Sequence, residues 1–477
     1  MNSTYFDVVV VGGGFSGTIL AVQLLCRDPS LRVAIVEKGH LPGRGLAYST
    51  EARFHLLNLP AQNMSALPAE PDDFVRWAQA HYNPSVQPRS FLPRSLFGRY
   101  VAARLDQAIA AGDRERFQWI GDEAVSLERR KRNFALHRGN GPELLARTVV
   151  LAQGNFPPAN PRIRGLSADC RRYVPLAWSK TALADLPPNG RVLLLGSGLT
   201  SLDLVMALKS KGFRGEIHIV SRRGLVPQRH ERTHPWPQFW NEQSPRSVRG
   251  LLRLIRSQAR LATLAGSNWR AAVDALRPVT QQIWQSLPLI ERRRFLRHAR
   301  AYWEVHRHRI APEIADVLAN LIEEGQVRIY AGRVTRYVER QAFAEVSIRQ
   351  RNTRGTKTLR VDRMINCTGS ENDCRCIDDP VLNCLFRQGL ARPDALFLGL
   401  DVDENGALID TDGTASKSLH ALGPMRKGCL WETTAVPEIR AQADGLAEHL
   451  IRRLGRDARP KLAEHAATLR SLSALWR

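Results

Sequence analysis

Residues 5–39, YFDVVVVGGGFSGTILAVQLLCRDPSLRVAIVEKG, leave this chain little choice of fold. Val8, Val9, Val10 and Val11 form an apolar run without alternation, as in a strand buried on both faces of a parallel sheet. The run stops at Gly12-Gly13-Gly14-Phe15-Ser16-Gly17, which fits G-x-G-x-x-G, and a helical stretch over 16–25 follows. A second apolar strand over 32–36 delivers Glu37 and Lys38. In this setting Gly12 makes the tight turn and Gly14 lets a pyrophosphate approach the backbone, with Phe15 and Ser16 opening the helix that attracts its charge. Gly17 lets helix and strand pack closely, and Glu37 accepts hydrogen bonds from ribose hydroxyls. A glycine loop alone is weak evidence. With strand, helix and acid in place, this is a dinucleotide-binding unit.

The pattern occurs twice. Residues 191–195 form another apolar strand, followed by Gly196-Ser197-Gly198-Leu199-Thr200-Ser201 and a helix to about residue 209. A strand over 216–220 ends in Ser221-Arg222-Arg223. Short strands over 117–120, 124–128, 135–137 and 148–152 close the first unit at Gln153-Gly154. Those over 327–330, 334–339, 344–349 and 363–367 close the second at Gly369. Internal repetition of this order predicts two Rossmann-like units in an α/β chain. The offsets also match: Glu37 lies twenty-five positions after Gly12, and Ser221 lies twenty-five after Gly196. Loss of the acid removes repulsion against a 2′-phosphate, and Arg222 and Arg223 supply fork-shaped donors for it. The second unit therefore reads as a site for NADPH over NADH.

Around these units, the loop over 43–49, with Gly45, is placed to fold back over the first pyrophosphate site. Residues 230–320 read as a helical insertion with Trp236, Trp240, Trp269, Trp284 and Trp303. His298, His306 and His308 within it are candidates for proton handling, although a core or surface role suits them better. A strand over 419–422 runs into Gly423, and Trp431 and Glu432 precede a helix over 437–450 whose N-terminus, beside Val436, could face the cofactor. The expected domains are 1–187 and 363–477 for the first unit, 188–230 and 321–362 for the second, and 231–320 for the insertion.

Composition excludes several classes. The chain has 477 residues and a formal charge of +23, mostly from arginines spread along it without a nucleic-acid recognition motif. Nucleic acid is therefore not the expected partner. No apolar run is long enough to span a bilayer, and the valine run leads straight into the glycine loop rather than to a cleavage site. The seven cysteines form no C-x-x-C pair, which suits reduced thiols in a cytoplasm and gives no metal site.

Two such units, the second inserted in the first, resemble the two-dinucleotide-binding flavoproteins of the glutathione-reductase type. That resemblance implies FAD in the first site and NAD(P)H in the second. Within that group, 43–49, 55–60, 93–100, 192–203, 221–230, 269–277, 295–309 and 423–443 are similar to a bacterial family of FAD/NAD(P)-binding proteins. More distantly, Asn58, with Pro60 and Met64-Ser65, is similar to a segment of class B flavin monooxygenases and N-hydroxylases. The likeness implies that Asn58 lies beside the flavin as a catalytic residue, and that the substrate is a small molecule with nitrogen or sulfur. The chain lacks the strict Baeyer–Villiger fingerprint, and the helix after the first loop offers only Cys26, against disulfide-reductase chemistry. Two other readings stay open: electron transfer to a protein or quinone, and a flavin-containing protein that binds RNA or another anionic partner.

Overall fold

The computed structural model describes residues 4–39, 41–351, 353 and 355–474, with side chains described as far as 455. Strands β1 (Thr4–Val11), β2 (Val33–Val36), β3 (Phe117–Ile120), β4 (Ala124–Arg130), β5 (Asn133–Arg138) and β6 (Leu144–Leu151) build most of a first sheet. The valine run is its centre: β1 pairs in parallel with β2 on one side and β6 on the other, Val8 facing Val33 and Thr148. Strand β3 continues beyond β2, and the antiparallel β4–β5 hairpin attaches to β6.

The chain then builds a second sheet from β7 (Tyr173–Val174), β8 (Arg191–Leu195), β9 (Glu216–Ser221), β10 (Val327–Glu339), β11 (Ala344–Gln350), β12 (Thr356–Val361) and β13 (Arg363–Asn366). Their spatial order is β12-β11-β10-β9-β8-β13-β7. Finally β14 (Ala407–Ile409) and β15 (Ala415–Ala421) return to the first sheet, β15 parallel to β6. The second unit is thus inserted in the first. Both carry an antiparallel meander before their closing strand.

Some expected limits move. Strand β13 pairs with β8, and β7 pairs with β13, so 363–366 and 173–174 belong to the second sheet rather than the first unit. Two-residue β7 is too short to show a sequence period, and β13 follows β12 after a single residue, which hides the boundary. The helix Pro312–Glu323 buries Leu318 and Leu321 in the core of the second unit with Val192, Ile217 and Val327, so it is that unit's crossover and not part of the insertion. Expected strands over 327–330 and 334–339 are one strand with an irregularity between Val334 and Arg336.

Helices cover the first sheet on one face. Phe15–Arg27 buries eleven residues, including Ile19, Leu20, Leu24 and Leu25, against Arg94–Ala110 and Val436–Ala474. Helix Pro380–Arg387 covers the other face with Val381, Leu382 and Leu385. The C-terminal helix starts with Pro437 in its first turn, as expected, but runs well past residue 450. No helix among the described residues is long and apolar enough to cross a membrane.

One buried group gives a pH signature. His420, on β15, is fully buried, and neither ring nitrogen has a hydrogen-bond partner among the described residues. Burial first, then the positive neighbours His449, Arg453 and Arg426, push it down to about 3. The unfolded chain takes up that proton near pH 6.5 while the folded chain does not, so the contribution falls as pH drops below about 6.5 towards 3. The slope is at most about 1.4 kcal/mol per pH unit. His420→Leu should therefore gain on wild type in urea unfolding as pH falls from 7.5 to 5. A gap that stays constant over that range contradicts the assignment.

Candidate active site

The first glycine loop is built by exclusion of side chains. Gly12 sits at φ +108°, and a Cβ there would lie 2.4 Å from the Ala152 carbonyl oxygen. A Cβ on Gly17 would lie 1.9 Å from the Gly12 oxygen. These contacts press the helix Phe15–Arg27 onto the strand ends and present its first turn at the loop. The Gly13 amide donates to Glu37 Oε2 at 2.7 Å and Gly39 donates to Oε1 at 2.9 Å, so the expected ribose acceptor stands beside the loop.

The loop over 43–49 does fold back onto this turn. Gly43 donates to the Gly13 carbonyl at 3.0 Å, and a Cβ on Gly45 would lie 3.0 Å from Gly14 Cα. Gly423 comes in from the returning segment, where a Cβ would lie 2.7 Å from Ser16 Oγ, and Thr433 donates to its carbonyl at 2.7 Å. Gly154 adopts φ +75° with open space before it. Gln153 Nε2 donates to Asp379 at 2.8 Å, while its buried Oε1 has no partner among the described residues. That orphaned oxygen, with the side-chain-free cradle at Gly12, Gly14 and Gly17, fits a polar ligand along this edge. Other candidates lie apart from it: the Phe15 ring packs on Phe97, Val436 is in the core, and the Lys38 ammonium pairs with Glu123 at 3.5 Å.

The second loop repeats the geometry. Gly196 also sits at φ +108°, with a Cβ placed 2.4 Å from the Cys367 oxygen. At the third glycine position Ser201 is buried and donates to the Gly196 carbonyl at 2.6 Å, replacing close contact by a hydrogen bond. Ser197 and Ser221 share a hydrogen bond of 2.8 Å, just as Gly13 and Glu37 do in the first unit. Leu199 and Thr200 open the helix Leu199–Ser210, and a Cβ on Gly198 or Gly369 would meet nothing within 4 Å. The backbone here is open to a close-approaching ligand.

The two arginines diverge. Arg223 donates to the carbonyls of Arg297 and His298 at 3.3 and 3.2 Å and lies over the Tyr302 ring, holding the insertion against the second unit. Arg222 is exposed, and burial of part of its length, then Arg300, Arg333 and Arg223, lower its pKa. Three cations converging on one side chain make a place for a strong anion.

Between the units, contacts from opposite sides fix one groove. Arg94, at the start of Arg94–Ala110, grips Asp203 of the second unit's helix with two hydrogen bonds of 2.8 and 3.2 Å. His55 Nε2 donates to the Asp203 carbonyl at 3.2 Å, and His230 Nε2 donates to the Asn58 carbonyl at 2.9 Å. Burial pushes His230 down to about 4 against that hydrogen bond, so it stays neutral and donating at neutral pH. Asn58, Arg94, Leu199 and Asp203 line the groove together. Asn58 and Leu199 are among the residues the sequence singles out; Arg94, Asp203 and His230 carry no separate signal there, although each falls within a family-like motif.

The insertion meets the returning segment at residues 427–438. Glu432 is buried and accepts from the Trp303 indole at 2.9 Å, with Arg307 at 3.6 Å. Glu438, in the first turn of the C-terminal helix, is held by Arg277 and Arg307, both at 3.1 Å. His298 is exposed, and His306 bonds the Tyr302 carbonyl at 2.7 Å beside Trp269. His308 lies near Glu432, its pKa lowered by burial.

Residues 9–156 match the family model described as FAD-NAD(P)-binding. No curated protein sequence matches the chain. Among solved structures, ornithine hydroxylase (PvdA) from Pseudomonas aeruginosa superposes with TM-score 0.63 and 16% identity, over 94% of this chain and 100% of that one. The cadaverine monooxygenase DfoA from Erwinia amylovora, solved with FAD, gives 0.64 and 13% over 94% and 95%. Thioredoxin reductase from Lactococcus lactis gives 0.54 and 10% over 94% and 99%. The fold is that of a two-dinucleotide-binding flavoprotein.

Proposed function

We propose that the chain is an FAD-dependent oxidoreductase that takes hydride from NADPH and uses oxygen to hydroxylate a small polar or anionic substrate at nitrogen or sulfur. The observation that carries this reading is the groove lined jointly by Asn58 of the first unit and Leu199 at the mouth of the second loop. Bound FAD would supply the redox chemistry. The Gly14–Ser16 backbone binds its phosphates, and Glu37 holds the ribose. Arg222 takes the 2′-phosphate of NADPH. Asn58 would hydrogen-bond the flavin edge, while Arg94–Asp203 and His230 keep the two units in register so that donor and acceptor meet without water between them. The fold shared with an ornithine hydroxylase and a cadaverine monooxygenase supports hydroxylation at nitrogen.

NADPH and oxygen consumption should rise together with a primary amine or thioether and yield a product heavier by one oxygen atom. Rapid NADPH oxidation only with an added quinone or protein acceptor overturns the oxygenase part.

The likeness to thioredoxin reductase raises disulfide chemistry as a second reading. The thiols argue against it. All seven cysteines are free, Cys26 and Cys376 are exposed, and burial pushes Cys374 up to about 12, so it is no thiolate. Replacing Cys26 and Cys376 by Ser and Cys374 by Ala should leave NADPH-driven flavin reduction at the wild-type rate. Loss of reduction in the folded, FAD-loaded triple variant restores the disulfide reading.

A further inference from the structure

Trp431 is one of the few non-glycine residues with positive φ, at +62°, and it is buried where the insertion meets the returning segment. Its ring packs edge-on to Phe295 at 5.0 Å and tilted against Trp284 at 5.1 Å. Two cations from different segments lie over that same ring, Lys427 at 5.3 Å and Arg300 at 5.7 Å. Two like charges set against one aromatic ring repel each other unless each is offset.

The surrounding acids are already engaged, Glu304 on Arg300 itself, which leaves Lys427 as the cation without an ion pair among the described residues. Glu304 binds Arg300 at 2.8 Å, Glu432 takes the Trp303 indole and faces Arg307, and Glu438 holds Arg277 and Arg307. Among the described residues no carboxylate lies within ion-pair distance of the half-buried Lys427. Burial first, then Arg300, lower its pKa to about 8, with Glu304 and Glu432 opposing. An ammonium drawn partly out of water with no carboxylate in ion-pair contact is costly, and an anion at this point would lower the cost. The ring beneath adds a flat apolar wall.

We propose that Lys427, Arg300 and Trp431 form an anion subsite that receives a carboxylate or phosphate group of the substrate. The proposal rests on the functional reading above and names the substrate's recognition group. Its place supports the substrate over the nucleotide: Lys427 and Trp431 precede Thr433, which bonds Gly423 beside Ser16 of the first loop. Arg300 also acts on Arg222 at the nucleotide side, so Lys427 is the discriminating residue.

The test uses FAD-loaded protein saturated with NADP+, so that Arg222 is already occupied. Inorganic phosphate and glutarate are titrated separately by calorimetry. Lys427→Gln should weaken the tighter of the two at least tenfold, and Lys427→Arg should retain binding. Lys357→Gln, whose ammonium lies over Tyr330 in the second sheet, should match wild type. Tighter phosphate assigns a phosphate-bearing substrate, and tighter glutarate a carboxylate. Equal affinities for both anions in wild type and a Lys427→Gln protein of unchanged melting temperature overturn the proposal, as does no binding of either anion. Failure of the wild type to hold FAD or to be reduced by NADPH would instead overturn the functional reading.

Discussion

Gly17→Ala protein should purify nearly colourless, with its affinity for FAD lowered about ten- to a hundredfold. The added methyl would sit 1.9 Å from the Gly12 oxygen, 3.1 Å from its carbonyl carbon and 3.0 Å from Val10 Cγ1. Gly12 cannot retreat, because its amide donates to Val36 at 2.8 Å and its own Cα faces the Ala152 carbonyl. The helix Phe15–Arg27 must move instead, and it takes with it the first-turn amides that would face the phosphates of FAD. Overpacking of this kind costs about 1–3 kcal/mol, and about 1.4 kcal/mol is tenfold in affinity. The second unit shows what a side chain at this position requires: Ser201 stands off and donates to the Gly196 carbonyl, a bond that alanine cannot make. Ser201→Gly is therefore the control and should keep its flavin. Full flavin content in Gly17→Ala would show that the first loop is not a cofactor cradle.

The second large effect is nucleotide choice. Ser221 stands where Glu37 does in the first unit and bonds the corresponding loop residue, so no carboxylate faces a 2′-phosphate. Arg222 is the freer of the two arginines, since Arg223 spends donors on the Arg297 and His298 carbonyls. One hydrogen bond between charged groups contributes about 1.5–3 kcal/mol. NADPH should thus reduce the flavin at about ten- to a hundredfold lower concentration than NADH. Arg222→Ala should erase most of that gap by weakening NADPH and leave NADH nearly unchanged. Arg223→Ala should act differently, loosening the insertion and affecting both nucleotides alike. Equal apparent affinities for the two nucleotides in wild type would end this assignment.

What the sequence disclosed was local and periodic. The unbroken valines, the paired glycine loops and the equal spacing to Glu37 and Ser221 each depend on neighbours within about one supersecondary unit, and the structure carries them at the expected places. The groove does not work that way. Arg94 and Asp203 are 109 residues apart, and His230 meets Asn58 across 172, so no local pattern marks either contact. Arg222 and Arg223 looked equivalent as neighbours in sequence; only the insertion, folding back through residues 297 and 298, separates their roles. Strand β12 carries mostly exposed polar side chains on the sheet edge, which left it without an apolar signal.

The central claim is that electrons pass from a nicotinamide in the second unit to FAD in the first. Mixing the purified, FAD-loaded protein with NADPH under anaerobic conditions, and following the oxidised-flavin absorbance, tests it most directly. The account predicts rapid and complete bleaching by NADPH, slower bleaching by NADH at equal concentration, and recovery of the absorbance when oxygen is admitted. A protein that carries no FAD, or a bound flavin that neither nucleotide bleaches, would contradict it.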